Sequence, residues 1–402
     1  MDISLSDFLH AEEILKPIIH RTETMHSTYF SNMIGGRAFL KCENLQKTAS
    51  FKIRGATYAI ARKMEEEKIH SVITASAGNH AQGVAYAARK MGLQATIVMP
   101  ENTPLMKINA TEGYGARVVL SGTCFDEAYA EALKLYALGD SCFVHPYDDP
   151  DVITGQGTVG VEILQDHPDA DVILVPAGGG GLLAGVATAA KKMNPHVEII
   201  GVQSEKSNAL VCSFRQKKLV MTGSSETIAD GIAVRNPGKK TLELIWQNVD
   251  DMVEVSDSDI DSAILTMVER TKLIVEPAGA ASVAALMRYK DRFAGKKVVC
   301  VLSGGNIDTW KMHRYLELAL LKAERWVHFK VMFKARHGSM PVLTRTIVTE
   351  NGATIMDIAL DRYSATDADE IACRFTCEVR DAEHKKRLIA ALREKYKVEV
   401  IE

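Results

Sequence analysis

Long apolar runs are missing from this 402-residue chain, so no stretch reaches the length of a membrane span. A basic excess is missing as well. Lys and Arg number 48 against 51 Asp and Glu, and the formal net charge of -3 gives no attraction for nucleic acid or an anionic membrane. The seven cysteines, Cys42, Cys124, Cys142, Cys212, Cys300, Cys373 and Cys377, are scattered without a C-x-x-C pair, as expected of reduced thiols packed as small hydrophobes. Cys373 and Cys377 lie four apart in a strand-like run, but no histidine stands at ligand spacing, so no metal is expected there. The opening stretch carries Asp2, Asp7, Glu12 and Glu13 and lacks a basic-then-apolar leader layout, which predicts a cytoplasmic protein. Internal repeats and low-complexity segments are absent from the sequence.

What is present is an ordinary globular composition, 47% hydrophobic and 25% charged, with length for two or three folding units. From residue 37 the pattern alternates. Strands are predicted at 37–42, 71–74, 95–99, 117–120, 171–175, 198–202 and 297–302. Helices are predicted at 56–64, 80–91, 105–114, 125–138, 159–165, 182–193, 259–272 and 278–289. Such alternation implies parallel sheets covered on both faces, with ligands collecting at the carboxyl ends of the strands. A smaller lobe near 45–148 is expected inside a larger one built from both its flanks, the whole reaching residue 322 after a helix at 310–322. The tail, 326–402, reads strand, helix, strand, strand, helix, strand, which is the ferredoxin-like order.

Three small-residue turns fall at predicted strand ends. Gly178-Gly179-Gly180-Gly181-Leu182 follows a strand and opens a helix, where outward amides and the helix dipole make a phosphate cradle. A dinucleotide is one candidate ligand: Gly179, Gly181 and Ala184 match G-x-G-x-x-A, and Glu205 stands where a ribose-binding acid would be. Ser76-Ala77-Gly78-Asn79-His80 is a second such turn, able to receive a carboxylate; taken alone it is an ordinary helix cap, and His80 a capping or core histidine. Ser303-Gly304-Gly305-Asn306 is the third, with Ser303 offering a neutral hydroxyl. Just before a helical run stands Thr48-Ala49-Ser50-Phe51-Lys52-Ile53-Arg54-Gly55-Ala56. Read singly, Lys52 is a solvated charge at a helix start. Read with a ring beside it, an anion cradle, an amide donor and a hydroxyl, it is a candidate covalent amine whose pKa is lowered by burial and the helix dipole.

With these segments, and with Ala75 to Gly83, Glu276-Pro277-Ala278-Gly279-Ala280 and the tetraglycine loop in the same order, the chain resembles the fold-type II pyridoxal-phosphate enzymes. Within them it is similar to the threonine dehydratase (threonine ammonia-lyase) family over roughly residues 10–320. The resemblance implies a two-lobed, tryptophan synthase β-like catalytic domain, with an ACT-like regulatory domain in the tail. It implies pyridoxal 5'-phosphate held covalently by Lys52, which also moves the α-proton. Phe51 would flank the ring, Gly178 to Gly181 and the Leu182 amide would bind the phosphate, Asn79 the ring 3-oxygen and Ser303 the ring nitrogen. Ser76, Ala77, Gly78, Asn79 and His80 would hold the substrate carboxylate. The implied reaction is β-elimination from L-threonine, and from L-serine, to a 2-oxo acid and ammonia. Serine racemase and hydroxyaspartate dehydratase of the same fold type are the alternatives. Racemases tend to carry serine where this chain has Ala77. They also bind a divalent ion at positions matching Glu205, Ala209 and Val211, and valine supplies no oxygen ligand, so no metal is expected. A homodimer or homotetramer and an amino-acid or nucleotide effector are also implied, the effector near His337-Gly338-Ser339-Met340.

Overall fold

Val172 to Pro176 is buried throughout, an uninterrupted apolar run of the kind that a parallel strand covered on both faces requires. It lies inside the larger of two sheets in the first of two compact units, Met1–Ile307 and Asp308–Glu402. The structure is a computed structural model and describes residues 1–139, 141–223, 226–361 and 369–401. In chain order the strands of the first unit are β1 (Thr24–His26), β2 (Arg37–Lys41), β3 (Ser71–Ala75), β4 (Gln94–Met99), β5 (Arg117–Leu120), β6 (Ser141–Phe143), β7 (Val172–Pro176), β8 (Glu198–Ser204), β9 (Asp251–Val255) and β10 (Lys297–Val301). Its helices are α1 (Leu5–Leu15), α2 (Thr28–Ile34), α3 (Lys52–Glu66), α4 (Asn79–Lys90), α5 (Leu105–Gly113), α6 (Phe125–Ala137), α7 (Pro150–Asp166), α8 (Gly181–Met193), α9 (Ala209–Gln216), α10 (Lys239–Asn248), α11 (Asp257–Arg270) and α12 (Pro277–Arg288).

The large sheet runs β1-β2-β10-β7-β8-β9, parallel except for β1, which pairs antiparallel with β2, and the small sheet runs β5-β4-β3-β6, wholly parallel. The small sheet is contributed by residues 71–143, inside the stretch expected of the smaller lobe. Each sheet has its own core. One centres on Leu174's neighbours Ile173 and Val175 with α8; the other is alanine-rich, from Ala81 to Ala88 with Ile97.

Several elements differ from the sequence reading. α3 begins at Lys52, not at 56: Phe51 is already helical, and its carbonyl accepts from Arg54 N at 2.9 Å. α7 begins at Pro150, not 159. Asp149 caps it by accepting from the amides of Asp151 and Val152, and the glycines at 155, 157 and 160 hide the helix from an apolar-period search. β6, α9, α10 and β9 were not anticipated; β6 and β9 are too short and mixed to carry a period of their own.

In the second unit α13 (Thr309–Lys322) precedes β11 (Trp326–Lys334), α14 (Ser339–Arg345), β12 (Thr354–Asp361), β13 (Glu370–Glu378), α15 (Ala382–Lys395) and β14 (Lys397–Ile401). The sheet order β12-β13-β11-β14, all antiparallel, is the expected ferredoxin-like arrangement. Phe329 and Phe375 stack across it at 5.6 Å. The expected stretch 326–402 includes residues 362–368 and 402, which lie outside the described ones. The boundary also differs. The sequence reading places α13 with the first unit, whereas in the structure it packs on β11 and belongs to the second.

Candidate active site

The three turns do fall at carboxyl ends, of β3, β7 and β10, and with the Lys52 segment they line one cavity of ≈ 800 Å³ in the first unit. Every residue predicted for the site lies on its wall: Phe51, Lys52, Ser76, Ala77, Gly78, Asn79, His80, Gly178 to Gly181, Leu182 and Ser303.

Lys52 occupies the first turn of α3. Its Nζ donates to the Pro146 carbonyl at 2.7 Å and lies 5.4 Å from the Phe51 ring centroid. Burial lowers its pKa to about 8, with the Glu276 carboxyl pulling the other way. A fraction of the amine is therefore unprotonated near neutral pH, which an isolated lysine would not be. The segment is tied to the third turn: Phe51 N donates to Ser303 O at 3.1 Å, and Gly305 N to Ala49 O at 2.8 Å. Ala49 reaches this position with φ of 53°, a left-handed conformation rarely taken by a residue bearing a side chain.

Gly180 turns the second loop with φ of 99°, and α8 starts at the next residue, so its first amides have no partner within the helix. The floor is the Tyr147 ring: a Cβ on Gly179 would stand 2.5 Å from its carbons. Tyr147 is fixed by its hydroxyl, which donates to Asn236 O at 3.0 Å, and by an edge-on contact with His145 at 4.9 Å. Behind the loop Thr241 Oγ1 donates to Gly179 O at 2.8 Å, and the Asp148 carboxylate caps α10 through the amides of Lys239 and Thr241.

In the first turn Ser76 Oγ accepts from Gly78 N at 3.3 Å, and the two amides that follow open α4. The His80 side chain points elsewhere. Its Nε2 lies 3.1 Å from the Val144 carbonyl, which can only accept, so Nε2 carries the proton. Burial, then the Lys52 charge, push its pKa down to about 3, so the ring is neutral and brings no charge to a carboxylate. Its contribution to the turn is its backbone. Asn79 Nδ2 donates to Glu276 Oε1 at 2.7 Å, and Asn79 Oδ1 accepts from Asn306 Nδ2 at 2.8 Å.

Three features escaped the sequence reading. Glu276, which stands in the Glu276-Pro277-Ala278-Gly279-Ala280 segment but was given no role from it, is a buried acid on the cavity wall at the start of α12. Lys107 of α5 pairs with Asp230 at 3.2 Å, both on the same wall. Behind Lys52, Arg54 is enclosed by acids: Nε and Nη2 donate to Glu43 at 2.8 and 2.7 Å, and Nη1 and Nη2 to Glu162 at 2.7 and 2.8 Å. Lys41 Nζ also reaches Glu162, at 2.6 Å. Glu162 and Lys41 stand in apolar runs, and that mismatch was the available signal. Glu205, the acid the dinucleotide reading needs, is not on the cavity wall; it pairs with Arg288 at 2.7 Å. Val211 is buried, and its amide donates to Gln203.

A phosphate approaching unpartnered amides across side-chain-free glycines, beside an amine of lowered pKa, is what pyridoxal phosphate requires, and the residues present fit it. Residues 15–304 match the family described as "Pyridoxal-phosphate dependent enzyme", and the chain belongs to that family. It is 47% identical over 360 residues to an L-threonine ammonia-lyase of Thermotoga maritima, covering 90% of this chain and 89% of that one. Among solved structures it is similar to the processed form of threonine deaminase isoform 2 from Solanum lycopersicum, with a TM-score of 0.75 and 36% identity, over 78% of this chain and 93% of that one. Maize serine racemase is similar at the same TM-score of 0.75 and 33% identity, over 81% of this chain and 100% of that one.

Proposed function

We propose that this chain is a pyridoxal-phosphate-dependent threonine ammonia-lyase, converting L-threonine to 2-oxobutyrate and ammonia and L-serine to pyruvate. The observation that carries the reading is the meeting of Lys52, the glycine cradle and the Ser76–His80 turn in one cavity, in a chain so similar to a threonine ammonia-lyase. When bound, the cofactor supplies the electron sink that makes an amino acid's α-proton removable. Gly178 to Gly181 and the Leu182 amide would hold its phosphate, Phe51 would flank its ring, Asn79 would donate to its 3-oxygen, and Ser303 would meet its ring nitrogen. Ser303 would be a neutral partner there, one that does not favour a protonated ring. Lys52 would hold the cofactor, and its amine, with a pKa lowered by burial, is suited to move the proton of the α-carbon. Ser76, Ala77 and Gly78, with the amides opening α4, hold the substrate carboxylate.

The likeness to maize serine racemase keeps a second reading in view. Ala77 on the cavity wall has no proton to return to the α-carbon, which favours elimination. Product analysis with L-threonine, L-serine and hydroxyaspartate separates the readings: 2-oxobutyrate supports the first, and D-serine as main product overturns it. Lys52→Ala is expected to abolish both the yellow chromophore and 2-oxobutyrate formation. Retention of both would remove Lys52 from its role.

The second unit is read as an ACT-like regulatory domain of a cytoplasmic homo-oligomer. A cavity of ≈ 820 Å³ there is lined by Lys334, Arg336, His337, Arg393, Lys395 and Lys397 against Glu370 and Glu394, which supports an effector bearing a carboxylate or phosphate. Threonine saturation curves with and without isoleucine, valine and AMP test it; curves unmoved by all three would overturn it.

A further inference from the structure

Glu276 joins the cavity wall to a chain of side-chain amides whose orientation can be deduced. Asn306 Nδ2 donates to the Thr48 carbonyl at 2.8 Å, and a carbonyl accepts only, so that atom is the nitrogen. The Asn79 atom facing the same nitrogen at 2.8 Å must then be oxygen. The Asn79 atom facing Glu276 Oε1 at 2.7 Å is therefore the nitrogen, with one hydrogen used and one left for the cavity. Glu276 is itself held. Its amide donates to Gly304 O at 3.0 Å, and its carboxyl lies so close over Gly304 that a Cβ there would stand 2.2 Å from Oε1. Glu276 is only 5% exposed.

We propose that Glu276 is a positioning residue which, as a neutral carboxylic acid, locks the Asn79 amide with its free N–H aimed at the ring oxygen of the cofactor. The inference rests on the pyridoxal-phosphate reading above. Asp230 from the 230–232 turn adds a like charge to the effect of burial; Lys107 of α5, Lys52 of α3 and the Asn79 bond oppose them, and the balance leaves the Glu276 pKa at about 8. Ionisation above that pH would place a negative charge beside a ring oxygen that is itself electron-rich.

The test is cofactor affinity of the stripped full-length protein, measured by absorbance titration with pyridoxal phosphate from pH 6.5 to 9.5. Lys52 titrates in the same range, so the informative quantity is the difference between wild type and Glu276→Gln. Glutamine accepts from Asn79 as a neutral acid does and cannot ionise. At pH 7 this variant should bind within about threefold of wild type, whereas Glu276→Ala, which frees Asn79, should bind about tenfold more weakly. From pH 7 to 9 wild type should lose several-fold more affinity than Glu276→Gln. Parallel pH profiles, or a glutamine variant as weak as the alanine one at pH 7, overturn the proposal. Should Glu276→Ala fail to fold, the pH comparison of the other two decides alone. A wild type that takes up no pyridoxal phosphate would instead overturn the cofactor reading, so the two failures are distinguishable.

Discussion

Replacing Arg54 by methionine tests whether the buried charges behind Lys52 act as one unit. Arg54, Lys41 and Glu43 are wholly inaccessible, and Glu162 nearly so. The guanidinium has five N–H donors, and five hydrogen bonds are present: two to Glu43, two to Glu162 and one to Thr158 Oγ1 at 3.1 Å. The two cations balance the two acids. Methionine keeps most of the volume but leaves two carboxylates facing one lysine, an uncompensated buried charge that costs about 3–5 kcal/mol. Glu43→Gln alone leaves an unpaired positive charge and should cost a similar amount. The double variant Arg54→Met with Glu43→Gln restores neutrality, so it should be more stable than the sum of the single costs by about 1–3 kcal/mol. The sign with pH follows. Burial alone would raise the Glu43 pKa, but Arg54, by charge and hydrogen bonds, holds it below the usual carboxylate range. This stabilisation is therefore present above the ordinary carboxylate pKa and is lost as pH falls through the depressed one. In Arg54→Met the acid unfolding transition should move to higher pH. Urea unfolding followed by far-ultraviolet circular dichroism, repeated from pH 3 to 7, measures both effects. A cost below about 1 kcal/mol, or single costs that simply add, would refute the view of a closed, mutually compensated network.

Two further substitutions probe the loops around the cavity. Gly179→Ala drives a methyl into the Tyr147 ring, which its hydrogen bond to Asn236 O prevents from yielding. It should destabilise by about 1–3 kcal/mol and weaken pyridoxal phosphate binding more than tenfold, whereas unchanged binding by titration would exclude the loop as the phosphate cradle. Ala49→Gly relieves a left-handed backbone without touching the Ser303 contact, and should stabilise by about 0.5–1 kcal/mol in the same urea assay. Destabilisation would show that the Ala49 methyl matters more than its φ.

The legible part of the site was local chemistry. A glycine run before a helix, a Ser-Ala-Gly-Asn turn and a lysine beside an aromatic each announce themselves within a few residues, because the backbone conformation and helix ends they serve are local. The alternation of strands and helices was legible for the same reason. Misplaced edges had local causes too: Phe51 starts α3 early, and α7 is glycine-rich on the faces that pack closely.

What only the tertiary structure decided is which distant charges and amides meet. Arg54 and Glu162 are 108 residues apart, Asn79 and Glu276 are 197 apart, and Lys52 reaches the Pro146 carbonyl across 94. No periodicity relates such pairs; they are joined when sheets close and water leaves. Removal of water also turns Lys52 into an amine of pKa about 8 and leaves His80 neutral, since the cost of a charge depends on the surroundings the fold creates. The amino-acid order by itself determined where a cofactor could be cradled and which amine could hold it. The fold determined the protonation of the groups around the cavity and joined Glu276, Asn79 and Asn306 into one hydrogen-bonded chain.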